Sequence, residues 1–333
     1  ISNQCAIFVE NRVTFYPATT HILNVTPNQK MTISERFEGC IICGAIGDAY
    51  GSAYENLAKS DSDDANTFYL FGKPEKTIPQ WKITDDTQLT LATCEVITEN
   101  NKLKTEYFAQ KYLNYFKQRR ITGIGASTLK AFQELEVGGH WSQVGRKGEY
   151  AAGNGAAMRI APIAFVDKIT RDQIREISNI THNNDEAYVG ALCVTLAIQA
   201  AIEKKWTGKE NLIELLIDQI PDTRLRDRLI EIKDIDNLLE IGEKGNDGYV
   251  VNSVPLAIAS ANQVTKIGIE GIFEQLIEIG GDTDTNASIA GQIVGTLIGR
   301  KGIPESLMSK LIELDQFDWI EKTINDAIIK NWV

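Results

Sequence analysis

The sequence predicts an all-α domain, and three observations carry that prediction. From Ser34 onward apolar residues recur at helical spacing, beginning with Phe37, Cys40, Ile41 and Gly44 on one face. After residue 34 no stretch alternates apolar and polar side chains as successive strands would. Only 8 prolines are spread over 333 residues, so long helices are permitted almost anywhere. The domain is expected to run from 34 to 333, and residues 1–33 read as a short extended arm. Phe8, Val9, Val13, Phe15 and Ile22 there are aromatic or β-branched and are interrupted by Asn, Pro and Thr.

Ser34, followed by Glu35 and Arg36, starts the first helix. Its continuation CIICGAIGDAYG (40–51) is small or apolar on nearly every side, which predicts burial. Gly44, Gly47 and Gly51 let a neighbouring helix approach closely, and Asp48 stands out as a charge among apolar residues. Further helices are expected over 89–98, 105–118, 126–135, 185–204, 211–220, 254–264, 269–279, 286–299 and 319–330. Gly and Asp clusters at 59–67, 138–155, 242–248 and 280–282 mark loops, and the run SDSDD (60–64) reads as a solvated one.

Charge and composition exclude several function classes. With 34 basic and 45 acidic residues the formal charge is −11, which disfavours nucleic acid and anionic membranes as partners. The apolar stretches 189–202 and 289–298 fall short of the ~20 residues of a membrane span. No basic segment leads into an apolar run near residue 1, and the expected location is cytoplasmic. The cysteines at 5, 40, 43, 94 and 193 are odd in number and scattered, as reduced core thiols are. The C-x-x-C of Cys40 and Cys43 lacks the second pair or nearby histidine that zinc requires. Three histidines are too few for a histidine-rich hydrolase site, and no serine–histidine–acid arrangement is visible.

Two motifs place carboxylates at helix starts. Thr84-Asp85-Asp86 precedes Leu89, Leu91, Ala92 and Val96; Asp282-Thr283-Asp284-Thr285 precedes Ile289, Ala290, Ile293 and Val294. Capping accounts for one side-chain oxygen at each start, yet each supplies more. Crowded like charges call for a cation, and Asp and Thr oxygens suit a hard one such as Mg²⁺, Mn²⁺ or Ca²⁺. An EF-hand counted from Asp282 fails, since Ala287 and Ile293 fall where Gly and Glu belong. Spacing alone leaves capping and metal binding both open. Glu55 follows the glycine-spaced helix, and the turn Gly153-Asn154-Gly155-Ala156-Ala157-Met158-Arg159 offers backbone N–H groups to a phosphate. Neither that turn nor ITGIGAST (121–128) completes a dinucleotide fingerprint, and no GK[ST] phosphate loop is present. His182, in THNN (181–184) just ahead of an apolar helix, reads by itself as a capping or surface residue.

Taken in order, GAIGDAYGSAYE (44–55), TDDTQL (84–89), GNGAAMRIAPIA (153–164), THNNDEA (181–187), GYVVNSVPLAI (248–258) and GGDTDTNASIAGQIVGTLIG (280–299) resemble the ADP-ribosylglycohydrolase family. That family includes dinitrogenase reductase-activating glycohydrolase and the ADP-ribosyl-arginine hydrolases. The resemblance implies a compact orthogonal helical bundle with a binuclear Mg²⁺ (or Mn²⁺) site at one end. It implies Thr84, Asp85, Asp86, Asp282, Asp284 and Thr285 as metal ligands, with Glu55 beside them. Glu55, Asp85 and Asp86 become the candidate general acids or bases. The turn residues Gly153, Asn154, Gly155, Met158 and Arg159 would hold a diphosphate together with His182, while Gly248 and Tyr249 would lie near the adenosine end. The implied activity is removal of ADP-ribose from arginine on a modified protein. Cleavage of O-linked ADP-ribose is a rival expectation. Another is an immunity protein whose arm, residues 1–33, occludes an ADP-ribosyltransferase toxin.

Overall fold

A computed structural model describes residues 31–55 and 79–332. The first thirty residues of the expected arm, and the expected loop at 59–67, lie outside the described residues. Fifteen α-helices follow one another in the described chain. They are α1 (Ile33–Glu55), α2 (Asp85–Glu99), α3 (Thr105–Lys117), α4 (Ala126–Glu136) and α5 (Trp141–Val144). Next come α6 (Arg171–Asn179), α7 (Asp185–Ile202), α8 (Leu212–Ile217), α9 (Arg224–Ile232) and α10 (Leu238–Glu243). The last five are α11 (Val250–Asn262), α12 (Val264–Ile279), α13 (Thr283–Ile298), α14 (Glu305–Ile312) and α15 (Phe317–Trp332).

The bundle is built around α1 and α13. Both are small or apolar on all sides, and a helix without a polar face is stable only when surrounded. They run antiparallel with their backbones touching. A Cβ on Gly39, Gly47 or Gly51 would lie 2.3, 2.2 or 2.3 Å from the backbone oxygens of Gly295, Ala287 and Thr283. Nothing larger than glycine fits at those crossings. This contact sets the C-terminal end of α1 beside the N-terminal end of α13, which is where the acidic motifs lie.

The other buried helices complete the core. By length and composition alone α7 is long and apolar enough to cross a membrane, but 72 % of it is buried inside the bundle. It serves as a core helix. Outside it, α3 turns Phe108, Tyr112 and Tyr115 inward, and α15 buries Ile320, Ile324 and Ala327. Cys40, Cys43, Cys94 and Cys193 are buried and free, and burial pushes their thiols up, Cys40 to about 12. They are core residues, as expected.

Five short helices are not expected from the sequence: α5, α6, α9, α10 and α14. Of these, α6 buries only Ile174, Ile177 and Ser178, and its signature is the capping box between Thr170 and Gln173. Inside the expected loop at 138–155 lies a two-residue strand, β1 (Arg146–Lys147), parallel to β2 (His182–Asn183). The ladder is too short to show as alternation, yet it seats His182. An antiparallel bridge from Gly153 to Tyr249 ties the glycine turn to the segment before α11.

Candidate active site

The site begins with Asp48, buried on α1. One oxygen accepts the Thr84 N–H (2.9 Å), the Thr87 N–H (3.1 Å) and the Thr87 hydroxyl, and the other accepts the Thr84 hydroxyl (2.8 Å). The first turn of α2 is thereby bolted to α1, with Thr84 as its N-cap. Asp85 and Asp86 sit in that turn, both buried. On α13, Thr285 donates its hydroxyl to Asp86 (3.2 Å), and the Thr285 N–H reaches Asp284 Oδ1 (2.8 Å). Asp48, Asp86 and Asp284 each bring a carboxylate oxygen within 4.8 Å of the other two. The two acidic motifs therefore meet, and Asp86 is the member of the first that reaches Asp284.

Burial dominates the electrostatics. It raises Asp86 well above the ordinary carboxylate value, with Asp284, Asp48 and Asp85 adding like charge. Burial and Asp48 push Asp85 up to about 8. Asp284 is raised by burial and by its hydrogen bond and charge contact with Asp282. Asp48 is raised by burial against the opposing hydrogen bonds from Thr87 and Thr84. So many desolvated carboxyls resist ionising together unless a cation joins them.

The donor set fits a hard divalent ion. Asp86 Oδ1 is buried without any hydrogen-bond partner. Thr84 and Thr285 give their hydroxyl hydrogens to Asp48 and Asp86, which leaves oxygen lone pairs free. Asp48 itself already accepts four donors, about the capacity of a carboxylate, so it orients the threonines rather than ligating.

These groups line a cavity of about 360 Å³. Of the expected site residues, Glu55, Thr84, Asp85, Asp86, Asp282, Asp284 and Thr285 form its acidic side. Gly153, Asn154, Gly155, Met158, His182 and Gly248 form the facing side. Asn154 is partly committed: its amide donates to Asp282 (2.7 Å) and Ser253 (3.1 Å), and its N–H to the Gly248 carbonyl (3.1 Å). It joins the two sides. Arg159 and Tyr249 do not line the cavity. Arg159 is fully buried, donates to the Gly155 carbonyl and the Thr181 hydroxyl (both 2.6 Å), and packs over the Tyr112 ring. Its guanidinium is spent on these two buried acceptors. Tyr249 contributes its backbone, paired with Gly153.

The cavity also has walls that motif reading passed over. Asp48, which does not itself line the cavity, stands out in the sequence only as a charge in an apolar helix. Gly123, Gly125, Ala126, Ser127 and Thr128 come from ITGIGAST, set aside because no third glycine completes it. Its two glycines still serve a purpose: Gly123 adopts φ +83° next to Asp85, and Gly125 leads into α4 with open space beside it. Lys82 is the one basic side chain among the described lining residues.

Comparison with known proteins identifies the family. A family model described as ADP-ribosylglycohydrolase matches residues 29–332. An uncharacterized protein from Archaeoglobus fulgidus is 29 % identical, over 79 % of this chain and 88 % of its own. ADP-ribosylarginine hydrolase Tri1 from Pseudomonas putida is 27 % identical over 86 % of this chain and 76 % of its own. ADP-ribosylhydrolase ARH3 from Homo sapiens is 25 % identical over 89 % of this chain and 94 % of its own. A solved structure described as an ADP-ribosylglycohydrolase-related protein complex shares the fold, with a TM-score of 0.59 at 22 % identity over 90 % of this chain and 98 % of that one. A bundle whose helix starts bring Asp86 and Asp284 together, matched over nearly its whole length, belongs to the ADP-ribosylglycohydrolase family.

Proposed function

We propose that this chain hydrolyses the bond between ADP-ribose and an arginine side chain on a modified protein. The observation that carries the reading is the convergence of Asp86 and Asp284 on a cavity whose other side is the Gly153–Gly155 turn and His182. Five carboxylates and one lysine line this cavity, so an anionic diphosphate enters favourably only when cations offset the acids. Thr84, Asp85, Asp86, Asp282, Asp284 and Thr285 would hold two Mg²⁺ or Mn²⁺. Bound there, the ions supply polarisation of the ribose hydroxyls and a lowered pKa for a coordinated water.

The chain's own groups do the rest. The acidic side grips the ribose, while backbone N–H groups of the turn and the His182 ring receive the diphosphate. Glu55, Asp85 and Asp86 are the candidates for the one group that takes the proton from the attacking water and for the one that gives a proton to the guanidine nitrogen as the C1″–N bond breaks. The name of the Pseudomonas putida relative favours the arginine linkage. An immunity role against a transferase toxin remains tied to residues 1–33, and deleting them tests it through binding to the cognate transferase.

The deciding experiment incubates the full chain with arginine-linked and serine-linked ADP-ribosylated proteins, each with Mg²⁺, with Mn²⁺ and after chelation. Release of ADP-ribose from the arginine substrate, abolished by chelation, is expected. Label that persists in every condition removes the reading, and release from serine alone moves the activity to O-linked substrates.

A further inference from the structure

Arg159 is buried with no carboxylate bonded to it, and its guanidinium Nε has no partner at all. Burying a guanidinium is unfavourable unless its placement serves something. Its hydrogen bonds lead, in two steps, to the cavity. One terminal nitrogen donates to the Thr181 hydroxyl (2.6 Å), and that same hydroxyl lies 2.7 Å from His182 Nδ1. A guanidinium only donates, so Thr181 Oγ accepts from Arg159 and keeps a single hydrogen to give. The acceptor within reach is His182 Nδ1. The second lone pair of Thr181 Oγ could accept from an Nδ1–H, but the hydroxyl hydrogen would then have no acceptor among the described residues; a bare Nδ1, with the hydrogen of the neutral ring on Nε2, pairs both groups.

We propose that Arg159 is a positioning residue which, through Thr181, holds His182 as the neutral Nε2–H tautomer and makes it a permanent donor into the cavity. The ring edge is held where such a donor is useful. A Cβ on Gly153 would lie 3.1 Å from Nε2, and one on Gly155 would lie 2.8 Å from Cε1, so the two glycines keep space for it against the turn. Burial first, and then two arginines, oppose a second proton on the ring, which carboxylates across the cavity would favour. Arg159 lies beneath it and Arg146 is paired with it across the short ladder. The carboxylates facing it across the cavity, Glu55, Asp85, Asp86, Asp282 and Asp284, belong to the acidic side. Burial works in the same direction as the arginines and holds the imidazole down to about 3. A donor of this kind binds an anionic or hydroxyl oxygen equally well from mildly acid to mildly basic pH. The opposite tautomer would aim a lone pair at that oxygen and repel it. Only the ligand named here rests on the proposed function; the tautomer belongs to the chain itself.

The test is ¹⁵N NMR of the imidazoles in the full chain without ligand. The sequence has 3 histidines, so His182→Gln assigns the signal. A protonated Nε2 and a bare Nδ1, unchanged between mildly basic and mildly acid pH, are expected, and Thr181→Ser should preserve them. Thr181→Val should mix the tautomers and weaken ADP-ribose binding by about tenfold, the loss of one charge-assisted hydrogen bond. A wild-type ring protonated on Nδ1, or one that titrates near its ordinary value, overturns the proposal. So does a Thr181→Val spectrum identical to wild type. If the valine variant fails to fold, the wild-type and serine spectra still decide. Failure of wild type to bind ADP-ribose would strike the proposed function and leave the tautomer result standing.

Discussion

Asp48 and Asp284 are both buried near the cavity's acidic end, yet their substitutions should separate. Asp48 spends both oxygens on the backbone and hydroxyls of Thr84 and Thr87, whereas Asp284 takes a backbone N–H from Thr285 and faces the cavity. In Asp48→Asn one acceptor becomes a donor aimed at other donors, so the start of α2 loosens. Mg²⁺ affinity, read by calorimetry, should fall by roughly 10–100-fold, the usual cost of losing a group that orients a ligand. Asp284→Ala should leave no detectable release of ADP-ribose. It should also raise the melting temperature of chelated protein, because one of the crowded carboxyls is gone. An Asp284→Ala protein that keeps both hydrolysis and Mg²⁺-dependent stabilisation would exclude Asp284 from the site.

At the scale of elements, the contact between α1 and α13 decides where the carboxylates stand. Gly51 lies against the backbone of Thr283 and Asp284, where a Cβ would come 2.3 Å from the Thr283 oxygen and 2.5 Å from the Asp284 Cα. Neither neighbour is a flexible side-chain end, so the helices must part. Gly51→Ala should cost about 1–3 kcal/mol by overpacking and should displace Asp284 from Asp86. Denaturant unfolding checks the first effect. Mg²⁺ titration checks the second, which should exceed what the stability loss alone explains. Gly125→Ala is the control, since a Cβ there meets nothing within 4 Å.

The whole molecule should report the acid cluster through its stability. Asp85, pushed up to about 8, binds a proton in the folded state that it releases when unfolded at neutral pH, and Asp86 and Asp284 are raised in the same direction. A raised carboxyl contributes stability that is lost as pH rises, so chelated protein should melt higher as pH falls from about 8 toward 6.5. Below 6.5 His182 acts oppositely, since it stays neutral when folded but takes a proton when unfolded. The rise should therefore become shallower there without stopping. Saturating Mg²⁺ should reverse the slope above neutrality, because the cation competes with protons for the same oxygens. Melting curves at several pH values, with Mg²⁺ and with chelator, check this. A chelated protein that melts higher at pH 8 than at pH 6.5 would contradict it.

Sequence by itself determined what depends on residues near one another in the chain. The 3.6-residue period exposed the long helices, the absence of a polar face marked α1 as buried, and two acidic helix starts stood out as caps or as ligands for a hard cation. Glycines at 47 and 51 announced a close helix contact without saying with what. Short helices such as α6 and α9 were missed although Ile174 and Ile177, and Leu225, Leu229 and Ile232, follow helical spacing, because each spans only two turns or so among charged residues. Only the tertiary structure decided which oxygens share the centre. Asp86 rather than Asp85 reaches Asp284, Asp48 anchors the start of α2, and Arg159 turns away from the cavity it was expected to line. Those outcomes follow from how α1, α2 and α13 cross in space, and from hydrogen bonds between residues far apart in the chain, which no local pattern encodes.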